Sequence, residues 1–119
     1  MFKGLTSKLF GNSISRYKIE TISGSEYYVN QTSHILKPDE WELYRFQERP
    51  YRIVAMIPSD TPNLNQLLAG WIEENVDLTT YSPTIGRIRG SSIVYSKEIE
   101  AGEHRGFTSP VVKVRKITS

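Results

Sequence analysis

The stretch from Tyr51 to Ile57 constrains this chain more than any other. Ile53, Val54, Ala55, Met56 and Ile57 follow one another without a polar interruption, which fits a strand buried on both faces. Pro58-Ser59-Asp60 ends the run, and a helical period takes over at once: Leu64, Leu67, Leu68, Trp71 and Ile72 fall at i, i+3, i+4, i+7 and i+8. The spacing predicts a helix over 62–75, capped by Asp60 or Thr61, with Pro62 at the first position, where a missing N–H is harmless. Gly70 inside that helix costs about 1 kcal/mol relative to alanine, which implies close packing against a sheet there. Leu67, Leu68, Trp71 and Ile72 are then expected to face Ile53, Ala55 or Ile57.

The remaining elements read as strands. Tyr17, Ile19 and Thr21 alternate with Lys18, Glu20 and Ile22, Ser23-Gly24-Ser25 supplies a turn, and Tyr27-Tyr28-Val29 follows, so residues 16–30 form a hairpin. Trp41 to Phe46, fenced by Pro38 and Pro50, is short and aromatic and favours a strand over a helix. Thr84 to Arg89 and Ser92 to Tyr95 read as two short strands around Gly90-Ser91; a charged loop over 96–109 leads to a last strand from Pro110 to Ile117. The expected fold is α+β: a curled, mostly antiparallel sheet or small barrel of six to seven strands with one amphipathic helix. At 119 residues the chain fits one such domain over 16–119, preceded by a basic segment over 1–15 in which Phe2, Leu5, Leu9 and Phe10 form an apolar stripe.

Charge and composition narrow the function classes. Residues 1–19 carry +4 and residues 104–119 another +4, while the middle, with seven basic side chains against all thirteen acids, carries −6, for +2 overall. Basic ends can attract a polyanion or an acidic protein patch over about 8 Å, though such runs are most often solvated faces. With no cysteine, thiolate metal sites and cysteine nucleophiles are excluded, and a reducing, cytoplasmic setting fits. No apolar run reaches the roughly 18 residues of a membrane span, so no stable membrane insertion is expected. The basic stripe over 1–15 is short for a surface anchor, and docking on the domain or on a partner is the more economical expectation.

Catalysis is poorly provided for. His34 and His104 are the near-neutral titrating side chains, and neither sits in a recognisable frame. Glu98, Glu100, Glu103 and His104 resemble a ligand string, but glycines at 102 and 106 place them in a loop with no common face. No Gly-x-Ser-x-Gly, Gly-x-Gly-x-x-Gly or Walker-type loop is present. No enzyme activity, metal or cofactor is expected.

The candidate binding residues gather around Gly86-Arg87-Ile88-Arg89-Gly90-Ser91-Ser92. In a strand, Arg87 and Arg89 share a face, and the turn after them offers N–H groups and the hydroxyls of Ser91 and Ser92 to a phosphate. The competing expectation is that these arginines pair with acids across strands. Tyr27 and Tyr95 complete the set as stacking platforms, although a chain with so few other aromatics also needs its tyrosines for packing.

Tyr17-Lys18-Ile19-Glu20-Thr21-Ile22-Ser23-Gly24-Ser25-Glu26-Tyr27 near the start and Thr108-Ser109-Pro110-Val111-Val112 near the end resemble short bacterial and phage proteins of unassigned function that combine such an opening with such a closing strand. The resemblance implies that the first and last strands share a sheet, and it carries no catalytic residue. The expected function is that of a non-enzymatic binding or inhibitor protein, of a kind phages carry, acting by occupying a partner protein's surface. The alternatives are nucleic-acid binding through the basic termini with Arg87 and Arg89, or sequestration of a small phosphorylated ligand at the Gly90 turn.

Overall fold

The computed structural model describes residues 13–118. The first hairpin joins β1 (Ser13–Thr21) to β2 (Glu26–Ser33) through the expected Ser23-Gly24-Ser25 turn, closed by the Thr21 N–H donating to the Ser25 carbonyl at 2.9 Å. A meander continues through β3 (Glu40–Tyr44) and β4 (Tyr51–Pro58), then α1 (Leu64–Ile72), two 3-10 turns at Thr79–Tyr81 and Ile85–Arg87, β5 (Ser91–Ile99), β6 (Gly102–Phe107) and β7 (Val111–Thr118). All strand pairs are antiparallel, in the order β6-β5-β4-β3-β2-β1-β7. The first and last strands are thus neighbours. The fold is α+β, a curled and unclosed sheet with a single helix among the described residues. The apolar stripe of the N-terminal segment lies outside the described residues, and residues 13–15, placed in that segment by the sequence, already belong to β1.

The central strand is buried on both faces, as its composition demands. On the concave side Ile53 and Met56 join Tyr17, Ile19, Leu43 and Ile93 in the main core. On the convex side Ala55 and Ile57 pack with Leu68, Trp71, Leu78 and Val94. A bulge in the β4–β5 register between Ile53 and Ala55 lets one strand feed both clusters.

Several expectations are corrected. The helix is shorter than 62–75, because Pro58 to Thr61 closes its own turn and Asn63, at φ 57, starts the helix without a side-chain cap. Pro62 therefore lies outside it. Leu68 and Trp71 face the sheet, but Ile72, at the end of the stripe, is 44% exposed, and Ile53 belongs to the opposite face. At Gly70 a methyl group would meet Val76 Cγ2 at 2.5 Å and Asn75 Oδ1 at 2.7 Å, so the close approach is to the chain leaving the helix rather than to the sheet. In place of a strand over 84–89 the chain forms the 3-10 turn Ile85–Arg87, followed by Ile88 as a fully buried anchor in the main core. The charged loop expected over 96–109 is largely the β5–β6 hairpin.

Candidate functional site

Strand alternation sends Tyr27, Tyr51 and Tyr95 toward the concave face, where all three pack, half-buried, at the margin of the main core. Tyr51 and Tyr95 stack with centroids 4.4 Å apart. Directly across from Tyr95 on β6 is Gly106, where a β-carbon would meet the Tyr95 hydroxyl and Cζ at 2.5 and 2.6 Å. The ring lies over a glycine in an edge strand, an arrangement that shields otherwise bare backbone. Burial, and then the nearby Tyr51 and Tyr27 phenols, hold the Tyr95 hydroxyl above its ordinary pKa.

Cations stand on these rings. The Arg45 guanidinium lies 5.3 Å from the Tyr27 ring and 5.0 Å from Phe46, and the Lys97 ammonium lies 5.6 Å from Tyr51. His104 approaches the same tyrosine with ring centroids 6.2 Å apart. The register explains the convergence: Tyr51 pairs with Leu43 on one side, and Lys97, one step beyond the Arg52–Ser96 pair, faces His104 on the other. Phe46, just past the end of β3, is 88% exposed. The result is an assembled aromatic and cationic face with one bare hydrophobic side chain beside it.

On the convex side Arg16 stands over the Tyr28 and Tyr44 rings at 5.0 and 5.9 Å, and next to α1 the charges are satisfied differently. Arg105 lies 5.0 Å over Trp71, donates to the Trp71 carbonyl at 2.9 Å and pairs with Glu103 at 2.9 Å. The Ser96 hydroxyl donates to the other Glu103 oxygen. That hydrogen bond, followed by Arg105, holds the Glu103 carboxyl below its ordinary pKa. Glu103 and His104, neighbours in sequence, thus work on opposite faces, and among the described residues no three of His, Cys, Asp and Glu gather in a metal-ligating group. A cleft of about 450 Å³ between β1 and β7 is lined by both signs of charge, Lys18, Lys113 and Arg115 with Glu20 and Glu26.

Of the residues singled out by the sequence, Tyr27 and Tyr95 are brought together and the other four are not. Arg87 and Arg89 flank the buried Ile88 on an irregular turn and do not share a strand face. Both are exposed, and neither makes an ion pair among the described residues. Ser91 and Ser92, only 2% and 1% exposed, are the first residues of β5, opposite Pro58 and Ile57. Gly90, at φ 83, uses its N–H on the Val111 carbonyl and its carbonyl on the Ser59 N–H, both at 2.8 Å. The turn expected to cradle a phosphate therefore uses the Gly90 N–H and carbonyl to tie β4, β5 and β7 together and buries the two serines. Arg45, Tyr51, Lys97 and His104 join the site without having been singled out for binding, and Phe46 stands beside them.

Comparison of the chain with protein-family models, with curated proteins and with solved structures finds no match. No helix among the described residues is long and apolar enough to cross a membrane. The fold and this face define an α+β protein with a curled antiparallel sheet and an aromatic, basic face at the margin of its concave core.

Proposed function

We propose that this protein is a non-enzymatic binding protein that works by occupying a surface of another protein, in the manner of an inhibitor, with Phe46 and Arg45 as its anchors. One observation carries the proposal: an almost fully exposed phenylalanine stands beside an arginine seated on two rings. Buried aromatic and arginine anchors dominate the energetics of protein interfaces, and a side chain ordered before contact loses less entropy on binding. Nucleic-acid binding is less well supported. The Tyr51 ring already carries Tyr95 and Lys97, and the Tyr27 ring carries Arg45, so a base would have to displace existing contacts before stacking.

The test is affinity capture with the full chain, with and without nuclease, using wild type and Phe46→Ala. A discrete protein should be retained after nuclease treatment and lost with Phe46→Ala. Retention that depends on nucleic acid, or that ignores Phe46→Ala, would overturn the proposal.

A further inference from the structure

Three basic side chains of the aromatic face stand on rings without an acid beside them, as Arg16 does over Tyr28 and Tyr44, and so differ from those that are paired. Lys18 has Glu26 at 3.6 Å, His34 has Glu40 at 3.8 Å and Arg105 has Glu103 at 2.9 Å. Arg45, Lys97 and His104 have no carboxylate within 4.0 Å among the described residues, only rings. A ring seat attracts a cation by about 0.5–1 kcal/mol at an exposed position and orders it, but leaves its full charge unneutralised. The acids on the same hairpin do not supply the missing charge: Glu100, in its turn, makes no ion pair among the described residues. Strand alternation sends Glu98 to the face opposite Lys97, and Glu103 is engaged by Ser96 and Arg105 on the convex side.

The register adds a second pointer. Lys97 and His104 are direct cross-strand partners on β5 and β6. This puts an ammonium and an imidazole side by side, both able to donate hydrogen bonds, and a carboxylate placed between them can accept from both. A carboxylate there and another at Arg45 would lie on either side of the tyrosines, with Phe46 free to meet an apolar side chain.

We infer that the face takes an acidic segment of the partner protein, with Asp or Glu carboxylates on Arg45 and on the Lys97–His104 pair. This rests on the binding role proposed above and specifies the partner's chemistry. A phosphodiester chain offers charge without the need for stacking, so oligonucleotide is the competing ligand the experiment must separate. The rings' occupancy favours carboxylates, because a peptide can reach the cations without unseating them.

The experiment titrates isotope-labelled full-length protein with oligo-glutamate and, separately, with oligo-thymidylate of matched charge, following amide and side-chain NMR signals. Oligo-glutamate should shift the signals of Arg45, Lys97 and His104 saturably. Arg45→Gln with Lys97→Gln should weaken that binding about tenfold, while Arg45→Lys retains most of it. Melting curves and unshifted core signals show that the variants fold. Should the double variant disturb the core, Arg45→Glu alone, at an exposed position, must still weaken oligo-glutamate. Tighter binding of oligo-thymidylate, absence of a saturable shift, or indifference to the charge changes would overturn the inference. In capture experiments the two proposals separate cleanly. Loss of the partner with Phe46→Ala but not with Arg45→Gln/Lys97→Gln refutes the acidic segment and Arg45 as an anchor while leaving the binding role through Phe46, whereas indifference to Phe46→Ala refutes the binding role itself.

Discussion

Replacing Gly106 by alanine tests the geometry of the aromatic face most directly. The added methyl would lie 2.5 Å from the Tyr95 hydroxyl, 2.6 Å from Cζ and 2.9 Å from Cε1, all well inside van der Waals contact. The ring cannot withdraw freely, since Tyr51 stacks on it at 4.4 Å and its body packs at the core margin. Overpacking of this kind costs about 1–3 kcal/mol, against which glycine-to-alanine replacement returns about 0.4–1 kcal/mol by restricting the unfolded chain. A net loss of about 1–2 kcal/mol is expected, or roughly 4–8 °C in Tm for a domain of this size. Urea unfolding of Gly106→Ala, Tyr95→Ala and the double variant gives the coupling. In the Tyr95→Ala background the clash is gone, and Gly106→Ala should be neutral or stabilising. A stabilising Gly106→Ala in the presence of Tyr95, or the same effect in both backgrounds, would refute the placement of the ring.

Leu68→Ala should cost about 2–5 kcal/mol in urea unfolding, since Leu68 is buried against Ala55 and Ile57, while Ile72→Ala should stay within about 0.5 kcal/mol. Glu103 is held below its ordinary pKa of 4.5, so it contributes stability that is present above 4.5 and lost as pH falls through the depressed folded-state value. Glu103→Gln should therefore flatten the acid limb of stability against pH, and an unchanged limb would contradict the Ser96–Glu103–Arg105 arrangement. Arg87→Ala with Arg89→Ala should leave stability within about 0.5 kcal/mol and leave partner capture intact, because both side chains are exposed and neither joins the aromatic face.

The elements most legible in the sequence are those whose period reflects a single demand. The Ile53 to Ile57 run had to be covered on two sides, and the structure covers it with the main core and with α1. The first hairpin was equally plain because alternation and a Ser-Gly-Ser turn agreed. Failures came where one residue answered to two demands. Ile88 looked like part of an alternating strand, but Pro83 and two glycines bracket a turn whose one task is to plug the core with that isoleucine. Gly102 and Gly106 looked like loop residues because the need for Gly106 arises from a ring on the neighbouring strand, eleven positions earlier in the chain.

The site was half legible for the same physical reason. Tyr27 and Tyr95 were suspected as aromatic platforms, but which cations they meet depends on cross-strand register. Lys97 reaches Tyr51 because both lie one step beyond the Arg52–Ser96 pair of β4 and β5, and His104 reaches it because β6 folds back opposite Lys97. The Gly90-Ser91-Ser92 turn misled in the opposite direction. Its donors are the right chemistry for an anion, yet a curled sheet must be tied where its ends approach, and Gly90 and the two buried serines occupy that position. Local chemistry therefore marked a structural joint as a site, while the face with unneutralised cations was assembled from residues spread over five segments of the chain, from Tyr27 on β2 to His104 on β6. Four of those segments are strands or their ends whose inward side chains were also needed to build the core, so tyrosine packs with its body and seats a cation with its face. That double use ties the stability of the sheet to the geometry of the aromatic face, and it makes Gly106 the position where the two can be perturbed together.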